Sequence, residues 1–505
     1  MSTVYIGEHP ALSPAEVARV ARQHARVELS EPARDSIASS RKLLERTLDD
    51  GLPHYGINTG FGSLANRRID RADLATLQRN LIRSHAAGVG APLPLDVVRG
   101  MMLVLAASLS RGRSGVRVVL VEKIIELLNL GVTPIVPESG SVGASGDLAP
   151  LAHVAQVLMG EGEASFKGAR IDGADALRAA GIEPIELGPK EGLALINGTH
   201  LMCARMSLIC EDLRQVTNAS LHAAAMSIDG VRASHGYLDE RVYQVRNQSG
   251  AATVAAKLRK LLVGSNIVES HAENDPRVQD PYSFRCAPLV VGAAFDSIEA
   301  CETRLHDELG AVSDNPLIFD SEGETDIVSA GCFHGMPVAL PLDVLAISIA
   351  HIAGVAERRV YHMLSVFDPH SELRAFLSPK PGLQSGLMIV QYAAAAMCNE
   401  LIGLANPASV ANISTCAGME DYNSFGPRAA AKAARGVDLC RSVIAIELLC
   451  AAEAVESHRP HRSGDLVESS IGMIREAVPS LSEDRSPTPD IAAIETLIRD
   501  GRFTA

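Results

Sequence analysis

The sequence predicts a mainly α protein, a central bundle of long helices joined to an N-terminal region built around a glycine-rich loop. Three observations carry that expectation. Apolar residues fill 47% of the 505 positions, yet aromatics are only 4% and Trp is absent. The apolar content is therefore Ala, Leu, Val and Ile in long stretches, which favours helices over a β-rich fold. Five such stretches follow residue 200, at 201–226, 288–310, 339–364, 385–404 and 428–457, whereas Gly and Pro punctuate the first third. The expected division is 1–200 for the loop-bearing region and 201–505 for the bundle, in a chain longer than one ordinary domain.

Taken in order, 72–87 reads as a helix because Leu74, Leu77, Leu81 and His85 recur at helical spacing. A second apolar helix at 116–130 should stop at Gly131. From Thr133 to Asp147, Pro134 and Pro137 with Gly140, Gly143 and Gly146 force a loop. Asp147 is placed to cap the next helix, whose first turn tolerates Pro150. Residues 163–172 read as a hairpin around Lys167-Gly168. Several of the later helices are apolar on more than one face, notably 385–404. Such helices belong in the middle of a large bundle or at a subunit interface, so a homo-oligomer is expected.

A net charge of −14 leaves no basic face for nucleic acid. Nine scattered cysteines without a C-x-x-C pair give neither a disulfide framework nor a zinc ribbon. His458 and His461 stand at a spacing that fits no metal-ligand pattern, so no metal is expected. The N-terminus carries no signal peptide pattern, and the most lipid-like stretch, 386–398, is too short to span a bilayer. A cytoplasmic protein with no membrane partner is the expectation.

The chemistry lies in Gly143-Ala144-Ser145-Gly146-Asp147. Gly146 has no Cβ, so its nitrogen can approach a preceding carbonyl that other residues would shield. Attack of that nitrogen on the carbonyl carbon of Ala144 closes a five-membered ring with loss of one water, and loss of the Ser145 hydroxyl as a second water leaves an exocyclic methylene. The product is a 4-methylideneimidazole-5-one (MIO), an electron-poor alkene. The tripeptide alone is a weak signal, because short matches are frequent in loops. The surrounding run, Gly140-Ser-Val-Gly-Ala-Ser-Gly-Asp-Leu-Ala-Pro-Leu-Ala-His153, closely resembles the signature of the aromatic amino acid and histidine ammonia-lyases. Tyr55-Gly-Ile-Asn-Thr-Gly-Phe-Gly62, the run 190–199, the run 278–286 and Phe333-His-Gly335 resemble further blocks of that family, in its order.

The resemblance implies a fumarase/aspartase-like helical architecture, an MIO formed autocatalytically from Ala144, Ser145 and Gly146, and a small amino acid as substrate. It also implies a homotetramer whose active sites draw on three subunits. It makes Tyr55 the general base, a task for which its pKa should be lowered by the site. Asn197, Gln279 and the catalytic Tyr282 would surround the MIO and the substrate amine, and Phe333 would pack near the MIO ring. Arg285 would grip the substrate carboxylate, since a guanidinium matches a carboxylate with two parallel hydrogen bonds.

Two positions favour histidine as substrate. Ser84-His85 resembles the pair with which histidine ammonia-lyases contact the imidazole. Glu420, in Met419-Glu-Asp-Tyr422, stands where the phenylalanine and tyrosine enzymes usually have Gln. A carboxylate suits an imidazole, which has an N–H to donate, and is costly against a bare phenyl ring. The chain departs from the family at Tyr422 (commonly His), Cys332 (Asn), Met336 (Glu) and His200 (Gln). A tyrosine ammonia-lyase or an aromatic 2,3-aminomutase is the alternative, with Tyr422 beside His85 reading a phenol. A catalytically dead scaffold would have lost the Ala-Ser-Gly, Tyr and Arg positions, and none is lost.

Overall fold

The five apolar stretches all form helices in the computed structural model, at His200–Gly230, Ala287–Leu309, Met336–Leu364, Met388–Leu404 and Gly426–Glu456. The structure describes residues 3–7, 11–48, 50–273, 275, 277–321, 324–365 and 371–504. Two helix starts differ from the apolar pattern for local reasons. Gly386 takes φ +59°, outside helical space, so that helix begins only at Met388. The last long helix begins at Gly426, because Pro427 is tolerated in a first turn.

Earlier elements follow the same logic. Helix Leu74–His85 is preceded by a 3₁₀ turn at Arg71–Asp73. Helix Val118–Leu130 closes at Gly131, whose φ of 77° lets its N–H reach back to Leu127 and Leu128. Strands Glu163–Phe166 and Ala169–Asp172 pair antiparallel as expected. Lys167 and Gly168 both have positive φ, the geometry that matches the twist of a two-residue hairpin.

The chain forms two compact units. The first comprises Met1–Glu211, Glu302–Asp343 and Pro407–Ala431, and the second Asp212–Cys301, Val344–Asn406 and Lys432–Ala505. In the first, hairpin Leu317–Ser321 with Glu324–Val328 packs on helix Glu31–Thr47. Leu43, Leu44, Ile57 and Ile318 form a buried cluster there. Ile57 is fully buried, and burial of such a side chain stabilises by about 1.5–3 kcal/mol. That cluster is what anchors the loop carrying Tyr55.

In the second unit a buried bidentate pair sets the registration of the helices. Arg359 donates from Nε and Nη2 to Glu447 at 2.5 and 2.9 Å, and the Ser227 hydroxyl donates to the same carboxylate at 2.7 Å. Arg359 Nη1 also donates to the Ser283 carbonyl at 3.3 Å, which holds the short helix Tyr282–Arg285 in place. His458 lies within hydrogen-bond distance of the Gly230 carbonyl, 2.8 Å from Nε2, and so closes a helix end.

The longest strongly apolar helix is Met336–Leu364, not the 386–398 stretch singled out by its sequence. Among the described residues it alone is long and apolar enough to cross a membrane, and most of its apolar window is buried inside the protein, as in a core helix.

Candidate active site

The loop at Ala144–Gly146 is held on both sides by backbone hydrogen bonds. Gly198 N donates to the Ser145 carbonyl at 3.1 Å, and Asp147 N donates to the Gly198 carbonyl at 2.7 Å. On the other side, Phe425 N donates to Val142 at 2.9 Å and the Ser424 hydroxyl to Gly143 at 3.1 Å. Only glycine fits at 146. Its φ is +73°, and a Cβ there would lie 2.0 Å from the Gly198 carbonyl oxygen. The chain turns at Ala144–Ser145, immediately before Gly146. A turn of this kind with a bare glycine at its end is the arrangement that ring closure between Ala144 and Gly146 requires, so the residues fit an MIO.

Asp147 occupies the position before helix Leu148–Leu158, but its side chain does not cap that helix. Its Oδ2 accepts instead from Leu201 N at 2.8 Å and Met202 N at 3.2 Å, capping the 200–230 helix. Complete burial pushes this carboxyl up to about 7, against the two backbone N–H groups that pull it down. In an unfolded chain it titrates near 3.8. As pH rises from about 4 to about 7 the unfolded chain releases this proton while the folded one keeps it, so folding stability falls through that window and stays lower above it. Asp147→Asn should therefore raise the apparent melting temperature at alkaline pH, leave it unchanged near pH 4 and remove the slope between, as read by thermal unfolding across pH.

One cavity of about 610 Å³ opens at this loop, a size ordinary for a small-molecule site. Tyr55, Ala144, Ser145, Asn197, Phe333 and Glu420 all line it, together with Asn315, His334, Asp421 and Tyr422. Six of the expected site residues thus share one wall system, and Gly146, the next residue of the loop, does not line it.

Each is held for an identifiable reason. Asn197 Nδ2 donates to Asp314 Oδ1 at 3.3 Å and to the Asn315 carbonyl at 3.2 Å. Both amide hydrogens are thereby used, which leaves the Oδ1 acceptor for an ammonium group. Asp314 in turn pairs with Lys190 at 2.5 Å, both fully or almost fully buried. Removing one partner of such a pair leaves an uncompensated charge. Asp314→Ala should destabilise the protein by about 3–5 kcal/mol in denaturant unfolding. Glu420 accepts from the Thr415 hydroxyl at 2.8 Å through Oε2. The strand-like bridge between Thr415 and Glu420 fixes the loop, and buried Asn423 ties it further through Ile413 and Thr415.

Tyr55 departs from expectation. Burial pushes its phenol up, Glu420 and the Cys416 thiol push the same way, and only the Gly62 N–H, donating to Oη at 3.5 Å, opposes them. The expected lowering is not produced within this chain, because no Lys or Arg lines the cavity among the described residues.

The remaining expected residues do not line the cavity. His85 is half-buried at the end of its helix, where Nδ1 lies 2.8 Å from the Leu81 carbonyl and 3.1 Å from the Ser84 hydroxyl. Tyr422, which does line the cavity, stacks on His334. Gln279 and Tyr282 are exposed, in the second unit. The Arg285 guanidinium lies 4.4 Å from the Tyr282 ring centroid, with Nε donating to the Asp280 carbonyl at 2.8 Å.

Sequence reasoning missed Lys190, Asp314, Asn315 and His334 as parts of the site. The string Ser313-Asp-Asn-Pro316 before an alternating stretch was a legible turn-and-strand signal, but nothing in it pointed to Asn197 more than a hundred residues away.

A family model for aromatic amino acid lyase matches residues 12–476. A histidine ammonia-lyase of Anaeromyxobacter sp. (strain K) is 47% identical over 498 residues, covering 97% of each chain. The structure of histidine ammonia-lyase from Trypanosoma cruzi superposes with a TM-score of 0.91 at 36% identity, over 99% of this chain and 94% of that one. Tyrosine aminomutase from Streptomyces globisporus gives a TM-score of 0.92 at 33% identity, over 99% and 98%. The mainly helical architecture is the fumarase/aspartase-like one. With a family match over residues 12–476, near-complete coverage of its relatives and a cavity built around Ala144-Ser145, the chain belongs to the aromatic amino acid lyase family.

Proposed function

We propose that this carbon–nitrogen lyase eliminates ammonia from L-histidine to give urocanate, using an MIO formed from Ala144, Ser145 and Gly146. The observation that carries the reading is the single cavity lined by Tyr55, Ala144, Ser145, Asn197, Phe333 and Glu420. The MIO supplies an electrophile for the substrate amine, which is otherwise a poor leaving group. Tyr55 takes the β-proton, Asn197 presents its carbonyl oxygen to the amine, and Phe333 excludes water beside the ring. Glu420 accepts the imidazole N–H through its second carboxylate oxygen.

The active form is a homotetramer. Gln279 and Tyr282 are exposed on this chain rather than placed in its cavity, as residues that complete a neighbouring subunit's site would be. Arg285 and His85 join them as carboxylate and imidazole contacts. The exposed apolar residues Leu340, Val344, Ile389 and Ile402 on the long helices fit subunit interfaces. The enzyme works in the cytoplasm, consistent with nine cysteines that form no disulfide among the described residues, and its net charge of −14 fits a small-molecule substrate better than nucleic acid.

The similarity to histidine ammonia-lyases supports L-histidine. Tyr422 on the cavity wall keeps tyrosine, with elimination or 2,3-amine migration, as the second reading. Purified protein incubated separately with L-histidine and L-tyrosine distinguishes them, through urocanate absorbance, coumarate absorbance and β-amino acid formation. Urocanate release is the expected result. Turnover of tyrosine without turnover of histidine would overturn the substrate assignment.

A further inference from the structure

Tyr422 lines the cavity beside Glu420 and is 63% exposed on this chain, and its hydroxyl has no hydrogen-bond partner among the described residues. Its ring is nonetheless held. The His334 ring stacks on it with centroids 6.5 Å apart and planes 25° from parallel. Met336 N donates to His334 Nδ1 at 3.3 Å, so the neutral ring carries its hydrogen on Nε2, which donates to the Tyr422 carbonyl at 3.0 Å. His334 thus clamps Tyr422 from its backbone and its face, against the start of the 336–364 helix.

A neutral imidazole presents one donor and one acceptor. Glu420 is a carboxylate with one oxygen on Thr415, and it can only accept. The acceptor nitrogen of an imidazole needs a donor, and the Tyr422 hydroxyl is an unpartnered one on the same wall. A bare phenyl ring covering this wall would offer no partner to the second Glu420 oxygen or to the Tyr422 hydroxyl, a loss that discriminates between substrates.

We propose that Tyr422 is a specificity-determining residue whose hydroxyl donates to the ring acceptor that Glu420 does not serve, selecting amino acids with a hydrogen-bonding ring over phenylalanine, and that His334 is its positioning residue. This rests on the proposed reading of the cavity as the site of an aromatic-ring amino acid.

The test measures binding of urocanate and cinnamate by calorimetry in the parent and in Tyr422→Phe, with kcat/KM for L-histidine and L-phenylalanine alongside. The expected result is a parent preference for urocanate that falls about tenfold or more in the variant, with cinnamate binding unchanged. Tyr422→His, which keeps a ring N–H, should retain part of the preference. His334→Ala should lower it, and the double variant should add little further, as for residues acting as a unit. Parallel losses for both ligands, no change, or a parent that binds the two acids equally would overturn the proposal. A parent that prefers urocanate over cinnamate yet releases none from L-histidine would sink the proposed function and leave this inference standing.

Discussion

Ser145→Ala should lower kcat on the order of 10³-fold or more while leaving the melting temperature nearly unchanged. The hydroxyl is the only side-chain group in the Ala144–Gly146 turn that can leave as water, so the variant has no route to the alkene. The fold has little reason to respond. The loop is tied by backbone groups at Ser145, Asp147 and Val142 and by the Gly143 carbonyl, none of which uses the Ser145 side chain. Steady-state ammonia release and thermal unfolding, measured on one preparation, check both halves of the expectation. Retained activity would mean that the electrophile is made elsewhere or is not needed.

Tyr55→Phe should lower kcat by about 10²–10⁴-fold, the range for loss of a positioned general base. It removes one oxygen from a loop anchored by Ile57 in the buried cluster, so folding should survive. The pH dependence gives the sharper reading. A base works in its deprotonated form, and burial raises this phenol above its ordinary value in the single chain. The rate of the parent should therefore climb with pH across the neutral and alkaline range, and the variant should lose that limb. A parent profile flat to high pH would show that the assembled enzyme reverses this rise, by cations from outside this chain's cavity. A variant that kept the parent's limb would remove Tyr55 from the role.

Much of the fold was legible because the signals were local. Five long apolar stretches became five helices, and Lys167-Gly168 became a hairpin turn because both residues accept positive φ. The loop expected over 133–147 was legible only in part: glycines keep 140–147 irregular, but Thr133–Pro134 and Pro137–Ser139 form short strands, because their partners at 163–166 and 89–92 are distant in sequence. The Asp147 side chain was misplaced for the opposite reason. Its partners, Leu201 and Met202, lie more than fifty residues away, and a local cap was the nearest explanation. Tyr55, Asn197, Phe333 and Glu420 were named from sequence and share the cavity, but the Lys190–Asp314 pair that sets Asn197 is a burial effect with no local pattern. His85 was named from sequence but does not line this chain's cavity, since helix periodicity says which face a residue occupies but not what that face meets.

The central claim is that this chain makes its own electrophile from Ala144, Ser145 and Gly146. The most direct measurement is the mass of the intact purified protein and of the peptide spanning the loop. The parent should be lighter than its sequence mass by the water lost on ring closure and the water lost from Ser145, with the difference confined to that peptide and absent from Ser145→Ala. An active parent with the unmodified mass at this peptide would contradict the account.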